Sequence, residues 1–287
     1  MKKSRSIKTD NPPFIVIFTD LDGTLLDHDT YQWDSAKPAL NLCKRLHIPI
    51  VLVSSKTRAE MDVLRKNMGL SSPFISENGG GIFFPTEGLD YAPAGTQLAE
   101  NIYRLEMGTP YEILVKALNE IRNELDLTIR GFSEMTPEEI SHLTNLDRED
   151  ARLAAMREFD EPFILPDHQN IDADDLQKAA QKRGLQITTG GRFFHIIGKN
   201  DKGGAVKTLI LWYKQQHSNV FSIALGDSPN DFSMLRQVDQ AILVRPETDY
   251  PFIADEIPGI RFAPEKGPEG WNRAIMELLD KKIQGGN

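Results

Sequence analysis

The chain has 287 residues, 40% of them hydrophobic and 8% aromatic, enough apolar material for a sizeable core and for more than one domain. Lysine and arginine total 33 against 42 aspartate and glutamate; the net charge of -9 disfavours nucleic acid and anionic membranes, so an anionic ligand needs a local cluster of donors. The lone cysteine, Cys43, excludes an intramolecular disulfide and a cysteine metal cage, and no run approaches the roughly 20 apolar residues of a membrane span, so a soluble, cytoplasmic protein is expected.

Residues 1–12 are polar and basic and are expected as a disordered tail. Phe14–Thr19 (FIVIFT) is a short, continuous, β-branched run behind Pro12 and Pro13, the pattern of a strand buried on both faces. Ser35–Leu46 carries apolar residues at helical spacing, Ile48–Val53 is a second buried run, and Arg58–Met68 reads as a helix closed by Gly69. PFIS (73–76) and IFF (82–84) flank the glycine turn ENGGG as in a hairpin. This alternation predicts a parallel sheet with right-handed crossovers. After Pro85 the pattern changes to charged helices, among them 110–125 and 149–159, with a capping box at Thr136. From Lys202 the first rhythm returns, with a helix through Tyr213, a strand at Val220–Leu225, a helix near 232–237 and a strand at Ala241–Val244. The expected organisation is an α/β core over 13–85 and 196–287, interrupted by an α+β insertion over 86–195.

Ligands of open α/β sheets collect beyond the carboxyl ends of the strands, so the polar residues after each buried run belong together. They are Asp20 and Asp22; Ser54, Ser55 and Lys56; and Gly226, Asp227, Asn230 and Asp231, with Lys202 opening the helix before the last of these strands. Such carboxylates, hydroxyl and lysines suit a hard divalent cation and a phosphate. Taken singly, each has a plain structural role: Asp20, Asp22 and GDSPND as turn residues, Ser54 as a helix cap, and Lys202 as a solvated charge. Their joint order, each after the proper strand, is what chance turns do not explain.

DLDGTLL, the serine after the second strand, the lysine of DKGG, and GDSPND resemble the four motifs of the haloacid dehalogenase-like (HAD) phosphatases. The resemblance implies a Rossmann-like HAD core with a C2B-type cap. It implies Asp20 as nucleophile, Asp22 as acid and base, and Mg2+ held by Asp20, the Asp22 backbone carbonyl and Asp227. It also implies phosphate contacts from Ser54, Lys202 and the Gly23 and Thr24 backbone N–H groups, supported by Lys56, Asn230 and Asp231. SSKTRAE, SENGGGIFF, REFDEPF, TTGGRFFH and GPEGWN further resemble the mannosyl-3-phosphoglycerate phosphatase family. That likeness implies hydrolysis of a mannosyl- or glucosyl-3-phosphoglycerate to a glycosylglycerate, a compatible solute. Arg157, Glu161, Thr189, Gly190, Gly191, Arg192 and His195 would be the substrate residues of the cap. Without it, Arg157 and Glu161 read as a helical ion pair and His195 as a structural hydrogen-bonder. A broad sugar-phosphate phosphatase or phosphomutase, and a catalytically inert metal- or phosphate-binding protein, stand as alternatives.

Overall fold

The structure, a computed structural model, describes residues 12–87, 89, 91–165, 173–190 and 193–284. The expected tail, apart from Pro12, lies outside the described residues. The first part of the chain forms β1 (Phe14–Thr19), α1 (Lys37–Arg45), β2 (Ile50–Leu52), α2 (Arg58–Met68), β3 (Phe74–Ser76) and β4 (Gly81–Pro85). Helix α2 has the predicted bounds for a local reason. Thr57 and Glu60 close a capping box at its start, and Gly69, with φ 66°, ends it in the left-handed region.

Next come β5 (Gln97–Ala99), β6 (Ile102–Glu106), α3 (Tyr111–Glu124), β7 (Arg130–Gly131), α4 (Pro137–Thr144) and α5 (Arg148–Ala154). They are followed by β8 (Asp160–Ile164), α6 (Ala173–Gln181), β9 (Gln186–Gly190) and β10 (Phe193–Ile197). The chain closes with α7 (Lys202–Gln216), β11 (Val220–Gly226), α8 (Phe232–Leu235), β12 (Gln240–Leu243), α9 (Ile253–Glu256), β13 (Arg261–Phe262) and α10 (Gly267–Gln284).

Strands β13-β12-β11-β1-β2 make a parallel sheet with β1 flanked by β11 and β2. Its two faces carry separate apolar clusters: Ile17, Leu52 and Ile223 pack with Trp271 of α10, whereas Val16, Phe18 and Ala224 pack with Leu209 of α7. Burial of β1 on both faces explains its unbroken apolar run.

The expected insertion at 86–195 is divided by its packing. Strands β5 and β6 extend the antiparallel sheet begun by β3 and β4, and Tyr103 and Leu105 join the core cluster of Ile82 and Phe84. Buried residues between 114 and 196 instead build two clusters of their own around the antiparallel sheet β7-β8-β10-β9, except that Phe159 packs into the cluster of Ile17 and Trp271. The helix expected over 149–159 ends at Ala154. Beyond it, the N–H groups of Glu158 and Phe159 leave helical pairing and donate to the buried Glu77 carboxylate at 2.7–3.1 Å, and the chain then enters β8. Among the described residues no helix is long and apolar enough to cross a membrane.

Candidate active site

The end of β1 delivers Asp20 to the rim of the parallel sheet. Thr19 Oγ1 donates to the Asp20 carbonyl at 2.8 Å and accepts from the buried Trp271 indole at 3.0 Å, so α10 braces this terminus. Lys202 enters from the first turn of α7, where Asp201 caps the helix by accepting from Gly204 N. A Cβ on Gly203 would lie 2.4 Å from the Ser233 carbonyl oxygen, so glycine permits the close approach of α7 to α8. Lys202 Nζ donates to Asp20 Oδ1 and Asp231 Oδ1, each at 2.6 Å, with all three residues buried.

Asp231 is fixed on its other side. Its Oδ2 accepts from the N–H groups of Asp227 and Ser228 at 3.0 and 3.1 Å. Thr24 Oγ1 donates to Asp227 Oδ1 at 3.1 Å, and Gly23 adopts φ +77° where a Cβ would come within 2.6 Å of Asp227 Oδ2. The glycine is therefore required twice, by its backbone and by the carboxylate beside it. Thr24 tethers Asp227, a role that sequence reasoning missed.

The Gly23 and Thr24 N–H groups were expected on the phosphate. The structure corrects this: they donate to Leu26 O and Leu21 O at 3.0 and 3.1 Å, because the loop closes on itself. The N–H groups of Leu21 and Asp22 carry no such bond among the described residues.

Carboxylate oxygens of Asp20, Asp227 and Asp231 lie within 4.8 Å of one another, all hard donors suited to a divalent cation. Burial, together with Asp231 and the neighbouring carboxylates, raises the Asp20 pKa well above its ordinary value despite Lys202. Burial and Asp231 push Asp227 up to about 6. Burial opposes the Lys202 charge, but Asp20 and Asp231 more than offset it and raise its pKa. The donor set thus carries surplus negative charge that a bound cation would neutralise. Asp22 sends its carboxylate elsewhere: Oδ2 pairs with Lys56 Nζ at 3.1 Å, and Oδ1 is buried without a hydrogen-bond partner.

A cleft of about 750 Å³ opens over these groups and is lined by Asp22, Lys56, Asn78, Lys202 and Asn230 from the core side. That volume suits a small-molecule ligand. Ser54 is buried beside it and accepts from Lys56 N through Oγ at 3.2 Å, and Asn230 accepts from Ser228 Oγ at 2.6 Å. The opposite wall holds Arg157, Thr188, Thr189, Phe193 and His195. Gly190 follows Thr189 in β9, whereas Gly191 and Arg192 lie outside the described residues.

Arg157 and Glu161 are not the helical ion pair that their spacing allowed. Arg157 lies beyond α5, donating to Ser55 O at 2.9 Å and Ala154 O at 2.8 Å. Glu161 points to the opposite face of β8 from Asp160, by the two-residue alternation of a strand, and does not line the cleft. Its carboxylate accepts from Ser133 N, Ser133 Oγ and Tyr111 OH at 2.6–3.0 Å, so it ties cap elements together. Sequence reasoning also missed Glu77. Its carboxylate is buried, and desolvation pushes its pKa up to about 8, although Arg157 and the Glu158 and Phe159 N–H groups favour the charge.

The rim of the parallel sheet thus gathers the carboxylates of Asp20, Asp227 and Asp231 around Lys202. Residues 17–249 match the haloacid dehalogenase-like hydrolase family, and the chain belongs to that family. It is 44% identical over 268 residues, 93% of this chain and 97% of the relative, to a glucosyl-3-phosphoglycerate/mannosyl-3-phosphoglycerate phosphatase of Methanococcoides burtonii. A Persephonella marina protein of the same name is 40% identical, covering 94% of this chain and 99% of its own. The mannosyl-3-phosphoglycerate phosphatase of Pyrococcus furiosus is 38% identical over 80% of this chain and 90% of its own. Among solved structures, the Thermoplasma acidophilum 0175 protein superposes with a TM-score of 0.66 at 20% identity, covering 93% of this chain and 99% of its own. A haloalkanoate-superfamily phosphatase from Bacteroides thetaiotaomicron gives 0.64 at 16% identity, covering 96% and 99%. These likenesses support the fold.

Proposed function

We propose that this chain is a magnesium-dependent, cytoplasmic phosphatase that hydrolyses mannosyl- or glucosyl-3-phosphoglycerate to the glycosylglycerate, with 107–197 rather than 86–195 serving as its cap. The observation that carries the reading is the buried Asp20–Lys202–Asp231 cluster beneath a cleft that Asp22 also faces. The full-length similarity to phosphatases of glycosylated phosphoglycerates supports the substrate.

Asp20 attacks phosphorus, and Lys202 keeps its carboxylate fixed in orientation and offsets charge building on the phosphoryl oxygens. Asp22 delivers a proton to the departing glycerate oxygen through Oδ1, the atom without a partner, and then takes one from the water that hydrolyses the aspartyl phosphate. Lys56 holds Asp22 in place from the other oxygen. The N–H groups of Leu21 and Asp22, with Ser54 Oγ, receive the phosphoryl oxygens. Asp20, Asp227 and the Asp22 carbonyl would hold Mg2+, with Asp231 completing the acidic surround. Bound there, the ion supplies charge neutralisation between phosphate and carboxylates. On the cap wall Arg157 meets the glycerate carboxylate, and Thr189, Gly190 and His195 meet the hydroxyls.

Asp20→Asn tests the chemistry. Phosphate release should fall by more than about 10³-fold while the melting temperature holds or rises, because one buried negative charge is removed. Turnover within tenfold of the parent would overturn the nucleophile assignment.

A further inference from the structure

Asp160 has no part in the chemistry above, yet it is fully buried directly behind the cap wall, against two residues that line it. A buried carboxylate requires partners, and two cleft residues supply them. His195 Nδ1 lies 3.0 Å from Asp160 Oδ1 and 2.9 Å from Oδ2, and Arg157 Nη1 lies 3.5 Å from Oδ2. The register of β8 and β10 explains the arrangement. His195 stands opposite Pro162, two residues from Asp160, so Asp160, Pro162 and His195 share one face of the sheet. That face looks into the cleft, which Pro162 and His195 line.

An ionised carboxylate only accepts hydrogen bonds, so the proton between the two residues belongs on His195 Nδ1. The ring then presents Nε2 to the cleft, and in the neutral imidazole Nε2 is an acceptor. Arg157 carries the same anchor toward the core, where its guanidinium donates to Ser55 O beside the phosphate-binding Ser54. A connected path therefore runs from the phosphate end of the cleft through Arg157 and Asp160 to His195.

We infer that Asp160 is a positioning residue for substrate selection: it fixes His195 as the Nδ1–H tautomer, so that Nε2 accepts a hydroxyl of the polyol portion of the substrate. The inference rests on the proposed glycosylated substrate for its kinetic consequence but not for its tautomer. Two readouts separate the cases. In ¹⁵N-histidine NMR of the free parent protein, at a pH where the ring is neutral, His195 should show a protonated Nδ1 and an unprotonated Nε2. An Nε2–H ring in the parent overturns the inference whatever the substrate is, and needs no variant to fold.

In Asp160→Asn the tautomer preference should weaken, because the amide can donate to Nδ1 as well as accept from it. The KM for the best substrate of a glycosyl phosphate panel should rise about tenfold, the size expected when a hydrogen bond to a misoriented group is lost, with kcat moving less than about threefold. His195→Gln, at a side chain that still reaches the cleft, should reproduce the KM effect. An unmoved KM in both variants refutes the assignment. A panel that favours another polyol phosphate, with the tautomer and KM effects intact, would overturn the proposed substrate and leave the role of Asp160 standing.

Discussion

Replacing Lys202 by methionine is the sharpest perturbation of the site, because it keeps an unbranched side chain of similar reach and removes the ammonium with its charge and its two hydrogen bonds. Lys202 is 1% exposed and holds Asp20 and Asp231 at 2.6 Å each. Without it, two buried carboxylates and the nearby Asp227 face one another with no cation, and breaking a buried pair in this way costs about 3–5 kcal/mol. The cost has a definite pH dependence. The Asp20 pKa is already raised by burial and Asp231, and loss of the lysine raises it further. A carboxyl whose folded pKa exceeds its unfolded value contributes stability that is present at low pH and lost as pH rises through the folded pKa. The gap between Lys202→Met and the parent should therefore widen as pH rises. Urea unfolding in metal-free buffer measures it. A loss below about 1 kcal/mol at pH 8, or a gap independent of pH, would refute the electrostatic account of the cluster.

Glu77 should impose a slope of its own. With its pKa moved by burial from 4.5 to about 8, it stabilises the fold below pH 4.5, and that contribution declines up to about pH 8. Glu77→Gln should flatten that part of the stability profile, as read by unfolding midpoints across the same range. At Gly23, alanine meets both φ +77° and Asp227 Oδ2 at 2.6 Å. Gly23→Ala should cost about 1–2 kcal/mol in unfolding and raise the magnesium concentration needed for half-maximal phosphate release, since the collision displaces a proposed metal ligand.

The sequence was most legible where local signals and burial agree. Strand β1 reads as buried because it is apolar throughout, and α2 has its predicted ends because Thr57, Glu60 and Gly69 mark them within the chain itself. The convergence of Asp20, Lys202 and Asp231 was legible for a topological reason: parallel strands present their carboxyl ends on one rim. What was hidden depends on partners distant in sequence. Beyond α5, the N–H groups of Glu158 and Phe159 that a helix over 149–159 would have used are taken by the carboxylate of Glu77, about eighty positions earlier. Strand β8 reads poorly because DEPFI opens with two charges and a proline. Its Asp160 and Glu161 are buried only because His195, Arg157, Ser133 and Tyr111 meet them. Likewise, nothing in DLDGT reveals that the Thr24 hydroxyl turns to Asp227, or that the Gly23 and Thr24 N–H groups are consumed within the loop.

A magnesium-loaded carboxylate site acting on a glycosylated 3-phosphoglycerate has one direct test. Inorganic phosphate release should be measured with mannosyl- and glucosyl-3-phosphoglycerate, free 3-phosphoglycerate and simple hexose phosphates, with Mg2+ and with a chelator. The glycosylated phosphoglycerates should give the highest kcat/KM, and the chelator should abolish release. Equal or higher efficiency with hexose phosphates, or release that persists without a divalent ion, would contradict the proposed function.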